Sequence, residues 1–200
     1  MSDRKRPYRK TRRAELEEET RRRITESAVA LHAELGPART SMSAMAEHAG
    51  VPRSTLYRHF ADDEAMFAAC SAHWSAANPP PDPSGWSAIA DPAQRTATAL
   101  RELYAYYARN EQMLGSLVRD EQLVPIVGQL FAAYHGYMAA IADMLMAGRG
   151  LRGRARQRTR AAIGHALGFV TWRSLVREQG LGEADAVALM DRLVATSAGT

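Results

Sequence analysis

The sequence predicts an all-α protein. A small N-terminal three-helix domain with a helix-turn-helix precedes a larger helical domain. Three observations lead there. Alternating apolar and polar residues of the kind that make strands are almost absent. Ala, Leu, Arg and Glu dominate, and apolar side chains recur at helical spacing in most windows. Stretches bearing Gly and Pro cut the chain into pieces of helix length. The 200 residues, 46% of them apolar, are enough for one large domain or two smaller ones with real cores.

Each element follows from local chemistry. Ile24, Ala28, Leu31 and Leu35 form one stripe of a helix expected from about Arg12 to Leu35, and Gly36-Pro37 stops it. Ser41 is a good N-cap for a short helix burying Met42, Met45, Ala46 and Ala49, and Gly50 breaks that helix. Further helices are expected over Arg53 to Phe60 and Asp63 to Trp74. Residues 78–85, four of them proline, read as a stiff connector without helix. Asp91-Pro92 restarts the pattern as a cap followed by an N1 proline. Helices then read as Pro92 to Arg109, Glu111 to Asp120, Pro125 to Met146, Arg154 to Glu178 and Glu183 to Ala198. The expected division is a disordered basic arm over 1–13, a first domain over 14–75, a connector over 76–91 and a second domain over 92–200.

The charge is uneven. Arg4, Lys5, Arg6, Arg9, Lys10, Arg12 and Arg13 crowd the start, opposed there only by Asp3, although the whole chain carries just +4. Such an arm suits phosphate backbones, and it equally suits a solvated tail. A single cysteine, Cys70, excludes an internal disulfide and fits a reducing compartment. The charged N-terminus lacks the apolar core of a signal peptide, and no run is long and apolar enough to span a bilayer. A cytoplasmic protein with no membrane association is the expectation.

In the segment from Ser41 to Phe60, Leu56 and Phe60 face inward with Met45 and Ala46, with Val51 as the buried turn residue. The opposite face shows Ser54 and Arg58, flanked by Thr55 and Tyr57, with Arg53 at the exposed start. The segment closely resembles the DNA-binding domain of the TetR family of bacterial transcriptional regulators. Ala46, the Ala49-Gly50-Val51 turn, the Thr55-Leu56-Tyr57-Arg58-His59-Phe60 block and Glu64-Ala65-Met66-Phe67 carry the likeness. A weaker likeness covers Thr171 to Leu175, Gly180-Leu181-Gly182 and the last helix.

The resemblance implies a homodimer with an operator-binding domain and a larger ligand-binding and dimerisation domain. It implies base contacts from Ser43, Arg53, Ser54 and Thr55, and phosphate contacts from Ser41, Tyr57 and His59. Arg58 belongs to the same cationic face, and the arm would follow the backbone or enter the minor groove. Three residues depart from the family pattern. Asp63 stands where many members have a lysine that supports a phosphate contact. Pro52 removes a hydroxyl cap from the recognition helix. His32 replaces a frequent aromatic.

In the second half, Tyr104, Tyr107, Met113, Phe131, Tyr134, Met138 and Phe169 are candidates to line an effector pocket for a lipophilic or aromatic molecule, with plain core as the alternative. Ala162, His165, Ala166, Trp172, Val187, Met190 and Val194, helped by Leu189 and Leu193, are candidates for a dimer interface, with burial inside one subunit as the alternative. Cys70 and His73 are spaced as metal ligands but have no companions, so no metal or cofactor is expected. No phosphate loop, nucleophile elbow or HExxH pair is present. The reading is a ligand-responsive regulator, more often a repressor. A DNA-binding dimer without an effector and, further off, a helical enzyme with a basic tail stay open.

Overall fold

The computed structural model describes residues 5–199, with side chains from residue 11 onward. The described residues form helices and no strand. They divide into two compact units. The first holds the chain up to Pro79 together with Gly115–Gly128, and the second holds Pro80–Leu114 together with the chain from Gln129.

The first unit opens with α1 (Lys5–Glu34). This helix starts seven residues before the expected Arg12, so residues 5–13 are its first turns and not an unstructured arm. Pro7 does not prevent this, because N–H groups in the first turn have no helical partner to lose. The chain then makes a short 3-10 turn (Pro37–Arg39) and α2 (Met42–His48), where Ser41 Oγ accepts from the Ala44 N–H at 3.2 Å. Gly50 takes a φ of +64°, the left-handed conformation the turn needs. It leads to α3 (Arg53–His59) and α4 (Asp63–Ala77). Ile24, Ala28 and Leu31 of α1 close over Met45, Ala46, Leu56, Phe60, Met66 and Cys70 in one core. Within it Cys70 is buried, and burial pushes its thiol up to about 12. His32 is buried too and sits 5.8 Å from the Phe67 ring, filling the slot expected for an aromatic.

The second unit contains an element that was not expected. Residues Pro83–Ser87 form α5 inside the proline-rich stretch. Asp82 caps it, accepting from the Ser84 N–H at 2.9 Å, and Pro83 suits its first turn. Trp86 is buried and its Nε1 donates to Glu102 at 2.7 Å, so tertiary burial holds this turn in place. Next comes α6 (Pro92–Asp120), one helix where two were expected. Asn110 does not break it, because its side-chain amide donates to Tyr106 O one turn back at 2.9 Å. The helix begins in the second unit, and its residues from Gly115 on fall in the first.

α7 (Pro125–Met146) has the expected bounds. The expected helix from Arg154 to Glu178 is broken. It becomes α8 (Gly153–Ala166), α9 (Phe169–Arg173) and a π-helical turn over Ser174–Glu178. At the break Thr171 Oγ1 donates to the freed carbonyl of His165 at 2.7 Å. α10 (Glu183–Thr196) closes the chain. No helix among the described residues is long and apolar enough to cross a membrane.

Candidate nucleic-acid interface

The side chains of α3 sort by face. Leu56 and the following Phe60 are buried, while Arg53, Ser54, Tyr57 and Arg58 are exposed and Thr55 is half-buried. A helix this short holds its outward residues in place only if its inward ones are packed, so the core beneath α3 fixes the face above it. Ser41 and Ser43 on the α2 side are exposed as well. The structure therefore gathers Ser41, Ser43, Arg53, Ser54, Thr55, Tyr57 and Arg58 on the helix-turn-helix.

Arg53 leans on its own helix. One guanidinium nitrogen donates to Tyr57 Oη at 3.2 Å and the group lies 5.4 Å from the Tyr57 ring centroid. The pairing orients the fork without burying it, and it leaves the phenol proton free to donate. Pro52 provides no side-chain cap for α3. Asp62 does cap α4, accepting from the Ala65 N–H at 2.8 Å, and Asp63 with Glu64 fills the acidic first turn.

His59 is less available than expected. Its Nε2 is buried with no partner. Burial, then the charges of Arg58 and Arg21, hold the imidazole below its usual value, so it is neutral at neutral pH. Any phosphate bond from His59 falls to Nδ1 and lacks charge assistance. In the arm, Arg4 and the side chains of Lys5, Arg6, Arg9 and Lys10 lie outside the described residues. Arg12 is exposed, and Arg13 pairs with Glu17 at 3.1 Å, both of them well exposed.

Arg21 was not singled out from the sequence. Its guanidinium donates to the His59 carbonyl at 2.9 Å and lies 4.4 Å over the Phe60 ring. It thus satisfies an orphan carbonyl at the negative end of α3 and stacks on the residue that anchors that end. Its only sequence signal is a cation one turn from the apolar Ile24, and this does not distinguish it from its neighbours Arg22 and Arg23. Arg21→Ala should cost roughly 1–2 kcal/mol of local stability. Amide exchange in α3 should quicken while that in α10 does not; unchanged protection in α3 would show that Arg21 does not hold the helix.

A second cluster in this unit joins the end of α6 to the α1–α2 corner. Ser116 Oγ donates to Ala33 O at 2.9 Å, and Arg119 donates to Leu35 O at 2.8 Å. Asp120 accepts from the Ala38 N–H at 2.9 Å and pairs with Arg119 at 2.9 Å. Gly36, at φ +90°, passes so close that any Cβ would meet the Arg119 guanidinium and the Asp120 carboxylate.

In the second unit, the pocket candidates form mostly packed rings. Tyr104, Tyr107, Met113, Phe131 and Phe169 are buried, and Tyr134 and Met138 are half-buried. Tyr104 Oη donates to Ala166 O at 2.9 Å and Tyr107 Oη to Leu167 O at 2.7 Å. Tyr107 Oη also lies 3.2 Å from Tyr134 Oη. Of the dimer candidates, Ala166, Trp172, Val187, Met190 and Val194 are buried inside their own unit, Ala162 is half-buried and His165 is exposed. The reason is that this unit's own helices consume the more apolar stripe. Val170, Leu189 and Leu193 are the large apolar side chains left exposed on α9 and α10. No group of three His, Cys, Asp or Glu among the described residues could hold a metal ion.

Residues 24–70 match the family described as bacterial regulatory proteins, tetR family. No curated protein matches the chain. Solved structures do. A TetR-like transcriptional regulator from Rhodococcus sp. RHA1 aligns with a TM-score of 0.66 at 19% identity, over 90% of this chain and 97% of that one. A protein from Mesorhizobium loti MAFF303099, assigned to the TetR-family transcriptional regulators, aligns at 0.60 and 18% identity, over 90% and 95%. The multidrug binding protein EbrR, solved with imidazole, aligns at 0.53 and 21% identity, over 88% and 89%. Residues 24–70 thus belong to the TetR family of bacterial regulatory proteins, and the chain around them carries the fold of TetR-like transcriptional regulators.

Proposed function

We propose that this protein is a cytoplasmic transcriptional regulator, a repressor that binds a palindromic operator as a homodimer and leaves it when a small, largely apolar effector binds the second unit. The observation that carries the reading is the α3 face. Arg53, Ser54, Tyr57 and Arg58 stand exposed above a core that fixes them, inside the segment that matches the family. Arg53 has the geometry to grip guanine O6 and N7 as a fork, and the hydroxyls and the phenol suit phosphates. A two-fold dimer would set two such helices about 34 Å apart or a multiple of it. The apolar remainder on α9 and α10, Val170 with Leu189 and Leu193, supports the pairing of two copies.

Release would follow from differential affinity. An effector that prefers one arrangement of the second unit shifts the population away from the form that fits two major grooves. α4, which ends the helix-turn-helix unit, would be one lever. The continuity of α6 from one unit into the other supports a second, because its last turn is bonded to the corner that feeds α2. The close packing of Tyr104, Tyr107 and Phe169 favours the rival reading, a dimer that binds DNA and no effector. An enzymatic role finds little support, since buried polar groups of this unit are tied to backbone carbonyls, as Arg95 is to Ile89, Ala90, Met144 and Ala147.

Operator affinity measured over a salt series tests the reading. A steep inverse dependence is expected, because several phosphates are neutralised at once. Deleting residues 1–13 should flatten the slope. Arg53→Ala should cost about 1–3 kcal/mol and relax specificity at one base pair. An equal loss on every sequence would remove Arg53 from the base-reading set.

A further inference from the structure

Trp172 is fully buried, and its indole Nε1 has no hydrogen-bond acceptor among the described residues. An indole N–H only donates, and a buried donor left unpaired is costly. Aromatic rings surround it, Tyr107 at 6.1 Å and Phe169 at 5.5 Å, centroid to centroid. Trp86 gives the contrast, since its Nε1 is bonded to Glu102.

The surroundings point to the chemistry of what would answer the donor. The Arg177 guanidinium lies 5.2 Å from the Trp172 ring centroid, and that of Arg173 lies 5.8 Å from the Phe169 ring centroid. Arg177 is shared with Glu111 at 2.8 Å, but Arg173 has no acidic partner among the described residues. The π-helical turn at Ser174–Glu178 contributes to this arrangement. In an α-helix a residue five positions on points well away from the first, and the wider π turn brings Arg177 back over Trp172. The rings form an apolar bed with one unpaired donor and two guanidinium groups beside it.

We infer that the second unit binds an apolar or aromatic carboxylate, with the Trp172 indole N–H as its hydrogen-bond anchor and Arg173 as the counter-charge. This rests on the reading of the second unit as an effector domain. A buried carboxylate is tolerated only when it is both hydrogen-bonded and paired, and these two groups supply the two requirements.

The test is side-chain NMR of the 200-residue chain labelled with 15N at tryptophan. It has three indole N–H signals, from Trp74, Trp86 and Trp172. Octanoate and benzoate are the probes, with octanol and benzamide as neutral controls. The Trp172 signal, assigned from a Trp172→Phe variant, should move downfield saturably with a carboxylate and far less with its control, while Trp86 stays still. Trp172→Phe should weaken carboxylate binding about ten-fold or more, equivalent to about 1.4 kcal/mol. Arg173→Gln should do the same, in a variant whose melting is unchanged. Octanoate or benzoate binding, seen by calorimetry, with a silent Trp172 signal would overturn the anchor, as would undiminished binding by either variant. Binding of neither carboxylate at millimolar concentration would overturn the ligand class. Operator affinity without any probe is read separately, so loss of the regulator reading stays distinguishable from loss of this site.

Discussion

An Asp120→Ala variant should lose roughly 2–4 kcal/mol of stability in the first unit. The carboxylate is almost wholly buried. Burial alone would raise its pKa. Hydrogen bonds from Arg119 and the Ala38 N–H, with the charges of Arg119 and Arg39, outweigh that and hold it below the usual carboxylate value. The charged form is therefore the one the fold selects. Its stabilisation is present above the ordinary carboxylate range and is lost as pH falls through the lowered folded value. Removing the side chain strands the Ala38 N–H and takes away the partner of Arg119, which keeps only its bond to Leu35 O. Asp120→Asn should lose less, because an amide oxygen still accepts from Ala38. Amide exchange in α2 and α3 is the measurement. Protection equal to wild type in the alanine variant would mean that the corner is held without Asp120.

Acid should weaken the same unit earlier, through His32. Burial lowers this imidazole to about 4, with the charge of Asp120 opposing the shift only in part. The unfolded chain takes up its proton near the ordinary value of 6.5, whereas the folded chain resists until about 4. The contribution is thus complete above 6.5, declines as pH falls from 6.5 to 4, and is constant below that. The full loss is about 3 kcal/mol. His32→Phe keeps a ring beside Phe67 and removes the titration. Urea denaturation at intervals from pH 7.5 to 4 should show a slope for the wild type and a flatter line for the variant. Parallel lines would place the acid sensitivity elsewhere, with His59 the next group to examine because its imidazole is lowered too.

Much of the first unit was legible because its boundaries are local. Ser41 caps and Gly50 turns whatever lies around them, and Pro125 likewise marks the start of α7. What escaped was set by long-range contact. α5 exists because Trp86 finds a burial site and Glu102, sixteen residues on. The two helices expected on either side of Asn110 are one, and the Asn110 amide bonds one turn back. The dimer candidates show the limit of periodicity. Periodicity identifies an apolar stripe on α10, but not whether its own subunit buries Val187, Met190 and Val194 and leaves Leu189 and Leu193 outside. The recognition face was readable residue by residue. Its support was not, because Arg21 and Asp120 reach their partners across 38 and 82 positions of sequence.

The state of Cys70 has a practical consequence. A thiol that is buried and held protonated until about 12 is almost inert to maleimides and iodoacetamides at neutral pH. The natural chain is therefore already a silent background for labelling. A single cysteine introduced at exposed Arg152 would take a fluorophore or spin label alone, with Cys70 left in place.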